Sequence, residues 1–180
     1  MISLQILLFI FVILFAIIGA MRGWAKELLV TFSILLALFA MVLLENYVSF
    51  FKKTIQSSLP GTVFCIRAGV LTLFAFFGYQ APRIQKLVNS GRFVRHFIQD
   101  SLLGGILGAV NGYLIFGTLW YYLHATGYPF SFVFKPDLTT TNGIAALNWI
   151  HYLPPAWLMG TPAIYIAVGI CFIFVLVVFL

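Results

Sequence analysis

Charge is what this sequence has least of. Only 8% of its 180 residues are Asp, Glu, Lys or Arg, and four are acids. So little polar surface cannot cover a soluble domain of this length. Cysteine is equally sparse. Cys65 and Cys171 each lie inside an apolar run with no C-x-x-C spacing, which speaks against a disulfide framework or thiolate metal site and reads both as buried small hydrophobes. H-E-x-x-H, G-x-S-x-G, a P-loop and G-x-G-x-x-G are all missing, so the chain carries none of the common hydrolase, metalloprotease or nucleotide-binding signatures. His96, His124 and His151 fall in connections, and only His96 has an acid at ligand spacing, Asp100. Two ligands do not make a metal site. No catalytic residue, metal or cofactor is expected.

What is present is hydrocarbon: 63% hydrophobic residues and a mean hydropathy of +1.10. A bilayer span needs about 20 apolar residues, and five stretches come close, at 2–20, 28–44, 62–81, 102–123 and 163–180. The expected fold is an all-α integral membrane protein with four to five transmembrane helices and interfacial helices in the connections. The fifth stretch, closing in "CFIFVLVVFL", has no polar tail to fix its end and is the one whose full crossing is open. Residues 2–20 lack a basic n-region and have Ile18 where a cleavage site needs a small residue. They are expected to persist as a membrane helix.

The connections differ in character. Residues 45–61, "ENYVSFFKKTIQSSLPG", suit a short interfacial loop with Lys52 and Lys53 at the headgroups. Residues 82–101 open on Pro82 and set Ile84, Leu87 and Val88 at helical spacing beside Arg83 and Lys86, a basic interfacial helix that breaks near Asn89, Ser90 and Gly91. Asp100 or Ser101 then caps the fourth span. Residues 124–162 carry five of the seven prolines and several Trp and Tyr, and are expected along the interface. Within them "GIAALNWIHYL" is a surface helix, broken off before it by Asn142 and Gly143 and ended by Pro154 and Pro155.

Ten Lys and Arg against four acids give a net charge of +6. In a membrane protein this excess sets orientation and meets anionic lipid headgroups at the basic loops, and nucleic acid is not an expected partner. Arg22, Lys26, Arg83, Lys86, Arg92 and Arg95 occupy loops one and three, whereas loops two and four hold Lys52, Lys53 and Lys135. The bias places the N-terminus outside. Arg67 lies about five residues into the third span, where a charge is costly. It either snorkels to the outer headgroups or pairs with Glu45, which ends the preceding span on the same side.

"GAMRGW" at 19–24 has a partial echo in "GAVNGY" at 108–113, the latter within a ladder of Gly104, Gly108 and Gly112. Glycines spaced by four leave a groove where another helix approaches closely, so Gly19, Gly23, Gly104, Gly108 and Gly112 are candidate packing positions. Arg22, Lys26 and Glu27 form a candidate ionic motif: either a turn that orients the hairpin or a site in which Glu27 neutralises Arg22 or Lys26. "GAMRGWAKELL" together with "DSLLGGILGAVNGYLIF" resembles the colicin V production protein family of bacterial inner-membrane proteins over residues 1 to about 123. Arg22, Gly23 and Glu27 match its first motif and Gly104, Gly108 and Gly112 its second. The second motif often has a basic residue where this chain has Asn111. The resemblance implies a small multi-pass membrane protein linked with toxin production and the cell envelope, often of four spans. Residues 1–123 are then the family-like core, and 124–180 an aromatic, proline-rich interfacial segment plus a last span.

Two functions follow as expectations. One is a structural or interaction protein of the bacterial inner membrane, acting in toxin production or export, or in envelope homeostasis, through other membrane proteins or as a homo-oligomer. The other is an oligomeric channel or transport component with a polar pathway near Arg22 and Glu27, since intramembrane charges mark pathways when they do not snorkel.

Overall fold

The computed structural model describes residues 3–80, 97–131, 133, 135–160 and 162–179. Among them every regular element is helical: α1 (Leu4–Arg22), α2 (Trp24–Tyr47), α3 (Ser49–Ser57), α4 (Pro60–Tyr79), α5 (Phe97–Ala125), α6 (Thr141–Trp149), a 3-10 turn (Ile150–Tyr152), α7 (Pro154–Leu158) and α8 (Ala163–Phe179). Helices α1, α2, α4 and α5 are each long and apolar enough to cross a bilayer. The Thr141–Leu158 and Ala163–Val177 pieces are together long and apolar enough for a fifth crossing but are bent by 64°, the shape of a broken span or of a re-entrant loop. The fold is therefore an all-α membrane bundle.

Local chemistry sets the helix ends. Ser3 caps α1, its hydroxyl accepting the Ile6 N–H at 3.2 Å. Gly23 stops α1 with φ +85°, a region open to glycine, and α2 starts at the next residue. Pro60 sits in the first turn of α4, where its missing N–H is no loss. At the far end of α5 the Gly127 N–H bonds the His124 carbonyl and the Tyr128 N–H the Leu123 carbonyl, a Schellman stop with Gly127 at φ +74°.

Helix α2 is central. Val30, Ile34, Leu38 and Val42 pack with Leu71 and Ala75 of α4, Leu114 of α5 and Ile164 and Cys171 of α8. Aromatic pairs fix the direction of α8: Phe39 meets Tyr165 and Phe32 meets Phe172, so α8 runs antiparallel to α2. A second cluster joins Leu8 and Trp120 to Ala146, Ile150 and Leu153. The outer faces carry Ile6, Ile10, Ile13, Ile17, Ile106, Ile170 and Val177, the surface a lipid solvent requires.

Several expectations are corrected. Residues 49–57 form a helix and not a loop, because Phe51, Thr54 and Ile55 make a half-buried stripe while Lys52 and Lys53 stay exposed. Asn142 and Gly143 lie inside α6, which Thr140 caps by accepting the Gly143 N–H at 3.1 Å. Pro154 and Pro155 open α7, where the first turn tolerates proline. This stretch is not confined to the bundle's edge. Pro154 Cδ lies 2.7 Å from where a Cβ on Gly117 would stand, eight residues inside the end of α5. Cys171 is buried, but Cys65 is exposed on the side of α4 away from its buried residues Val63, Leu71 and Ala75. His124 belongs to the last turn of α5, which runs further than expected. The basic helix expected over 82–88, its break at 89–91, and Arg92, Arg95 and His96 lie outside the described residues.

Candidate functional site

The break at Gly23 places a base and an acid at two facing helix ends. Arg22 closes α1 and Glu27 lies in the first turn of α2, each at the terminus where its charge suits the helix dipole. Arg22 Nη1 donates to Glu27 Oε1 at 2.8 Å, and the Glu27 side chain is fully buried. Tyr79, the last residue of α4, completes the pair. Its carbonyl accepts Arg22 Nη2 at 3.1 Å, its ring lies 4.4 Å from the guanidinium carbon, and its hydroxyl donates to Glu27 Oε2 at 3.4 Å.

The fourth member comes from α5. Asn111, also fully buried, donates from Nδ2 to Glu27 Oε2 at 2.8 Å and to the Glu27 carbonyl at 3.0 Å. Its side-chain oxygen accepts the Thr31 hydroxyl at 2.7 Å. Both amide protons and the oxygen are thus used, which fixes the amide orientation. The carboxylate in turn accepts from three donors on three other helices, α1, α4 and α5. A buried charge is tolerated when it is paired and hydrogen-bonded in this way.

The two glycine motifs meet each other. A Cβ on Gly19 would strike the Gly104 carbonyl oxygen and come within 2.8 Å of Gly108 Cα. One on Gly108 would strike the Phe15 carbonyl oxygen, and one on Gly112 would lie 2.9 Å from Phe15 Cβ. One on Gly104 would strike the Gly19 carbonyl oxygen and lie 3.1 Å from Gly23 Cα. Helices α1 and α5 therefore touch backbone to backbone along about two turns, the most extensive helix contact in the bundle.

Asp100 ties the seam to the ionic cluster. The sequence offers Asp100 or Ser101 as the cap of this helix, yet α5 already runs through both. Asp100 Oδ1 instead accepts the Trp24 N–H at 3.3 Å, capping α2 from another helix. The neighbouring Ser101 hydroxyl donates to the Ala20 carbonyl at 3.0 Å, satisfying the end of α1.

At the other end of α2, Glu45 Oε1 accepts Arg67 Nε at 2.8 Å, with both side chains mostly shielded. The Arg67 guanidinium carbon lies 5.7 Å from the Tyr122 ring centroid. Lys26 stands apart, exposed on α2. Sequence reasoning missed Tyr79, Asn111 and Thr31. Asn111 left a signal, being an amide within an apolar, glycine-laddered span, whereas Tyr79 reads as one more interfacial aromatic. No group of three or more metal-ligating side chains occurs among the described residues.

The model of the colicin V production protein family matches residues 4–142, from α1 to the start of α6. The chain belongs to this family and is a membrane protein. Neither a curated protein nor a solved structure matches it.

Proposed function

We propose that this colicin V production family member is a packed scaffold of the bacterial inner membrane, serving toxin production or export, or envelope homeostasis, through contacts with other membrane proteins or a second copy. The observation that carries the reading is the α1–α5 seam. Backbone-to-backbone packing at Gly19, Gly104 and Gly108 leaves no room for a lumen between these helices, and Glu27 spends its carboxylate on Arg22, Tyr79 and Asn111 within the chain. Such a bundle holds a fixed shape that partners can read.

In the proposed orientation the Gly23 end faces the cytoplasm and the N-terminus lies outside, because Arg22, Lys26, Arg83, Lys86, Arg92 and Arg95 gather in the loops on that side. The basic loops then meet anionic headgroups. In a deletion strain with a toxin-production or envelope defect, Ile106→Ala, on the exposed side of α5, should restore function. Gly108→Leu, which wedges the seam, should not. Rescue by both at equal membrane levels would contradict the scaffold reading.

A further inference from the structure

The glycine seam does not run the whole length of α1. Toward the Gly23 end, Gly19, Gly104 and Gly108 let α1 and α5 touch backbone to backbone. Beyond Phe11 the two helices instead bring Leu4 and Leu8 together with Leu119 and Leu123 around a cavity. Helix α4 diverges in the same direction. Its last residue, Tyr79, holds both Arg22 and Phe15 of α1, whereas near its start Phe64 stands across the gap from α1. The three helices thus enclose an apolar cavity of about 240 Å³ beside the N-terminal end of α1. Phe11 and Phe116 close its floor, their rings stacked with centroids 3.5 Å apart. Leu7 lines it too and is exposed, so the cavity opens to the bilayer at that rim.

An empty cavity forfeits dispersion contacts along every wall. Water finds too few polar partners to stay there, since among the described wall residues Trp120 carries the sole side-chain polar atom, an indole nitrogen that is itself buried. A helix from a second copy is too wide, at about 10–12 Å with its side chains. What reaches the rim at Leu7 is hydrocarbon. We infer that the cavity is a lipid site, taking one acyl chain of an anionic phospholipid from the leaflet at the N-terminal end of α1. The depth fits. Leu4 to Phe11 is seven residues, roughly 10 Å of helix, within a hydrocarbon leaflet of about 15 Å, half the bilayer core. Lys135 marks the headgroup end: it is exposed and lies two residues past Val133, which also lines the cavity. Asp137, the nearest acid in sequence, turns its carboxylate onto the Thr139 N–H at 2.9 Å, which leaves the lysine to a phosphate. The bound chain fills the gap between α1 and α4, and the site is independent of which partner the scaffold meets.

The test uses full-length protein in phosphatidylcholine vesicles that carry a trace of phosphatidylglycerol with a photoactivatable diazirine near the end of one acyl chain. After illumination, fragment mass spectrometry should place adducts at Phe11 and Leu119 several-fold above those at Ile106 and Ile170, which are exposed on the outer faces. Unlabelled phosphatidylglycerol should compete, and extra phosphatidylcholine should not. Leu119→Phe adds bulk to the cavity wall and should bring labelling at Phe11 down to the level at Ile106. Lys135→Gln, a surface change that leaves the bundle intact, should abolish the preference for phosphatidylglycerol. Adducts spread evenly over cavity and outer-face residues, Phe11 labelling unchanged by Leu119→Phe, or a headgroup preference unchanged by Lys135→Gln would overturn the site.

Discussion

Asn111 on α5 donates to Glu27 on α2 twice, at 2.8 Å to the carboxylate and at 3.0 Å to the main-chain carbonyl. One amide thereby fixes both the charge and the backbone of the residue that Arg22 neutralises. Asn111→Leu would leave the carboxylate short of a donor, while the Thr31 hydroxyl keeps the Glu27 carbonyl as an acceptor at 3.1 Å. The expected loss is about 1–3 kcal/mol, read as a lower melting temperature in detergent. Asn111→Asp should be worse, since it sets a second carboxylate against Glu27.

Glu27→Gln should destabilise more than Asn111→Leu, because it strands a mostly shielded guanidinium. Breaking a buried pair costs about 3–5 kcal/mol. Arg22→Lys keeps the charge and the topology but loses the fork that reaches Glu27 and the Tyr79 carbonyl together. It should therefore melt early while a cytoplasmic reporter fused at that loop still reads normally. If Arg22→Lys melts like wild type, Arg22 serves orientation alone.

Asp100→Ala removes the cap that α5 lends to α2. A lost N-cap is worth about 1 kcal/mol, and the change should appear first as faster amide exchange at Trp24 and the residues after it. Unchanged exchange there would mean that the cap is idle.

Much of this was legible in the sequence for a plain reason: the bilayer imposes a length ruler, so the four long helices announce themselves. Glycine spacing also marked Gly19, Gly104 and Gly108 as candidate packing positions, while the charges left open whether Glu27 faces Arg22, Lys26 or a plain turn, and whether Arg67 snorkels or pairs with Glu45. What sequence could not supply is which groups converge across helices. Tyr79 reaches Glu27 across fifty-two positions and Asn111 across eighty-four. Asp100 misled because an acid in a first turn reads as a cap for its own helix, and only the tertiary approach of α5 to Gly23 reveals that it serves another. The α6–α7 stretch misled similarly. Its aromatics and prolines suit an interface, but Leu153 and Pro154 find a site against Gly117.

Topology reporters address the orientation. A fusion after Arg92 should read cytoplasm and one after Lys135 the outside. The reverse at both positions would invert the proposed arrangement without touching the fold.

The account stands on α1 and α5 meeting face to face, and a disulfide tests that contact most directly. A Cβ built on Gly105 lies 3.5 Å from Ala20 Cβ, within the range that a disulfide bridges. In a background with Cys65 and Cys171 replaced by alanine, Ala20→Cys with Gly105→Cys should oxidise in native membranes to an intramolecular linkage, identified as a joined peptide by mass spectrometry. Ile17→Cys with Gly105→Cys, in which residue 17 lies on the exposed side of α1, should stay reduced. Equal linkage in both pairs, or none in the first, would contradict the seam on which the packing, the capping by Asp100 and the ionic cluster all depend.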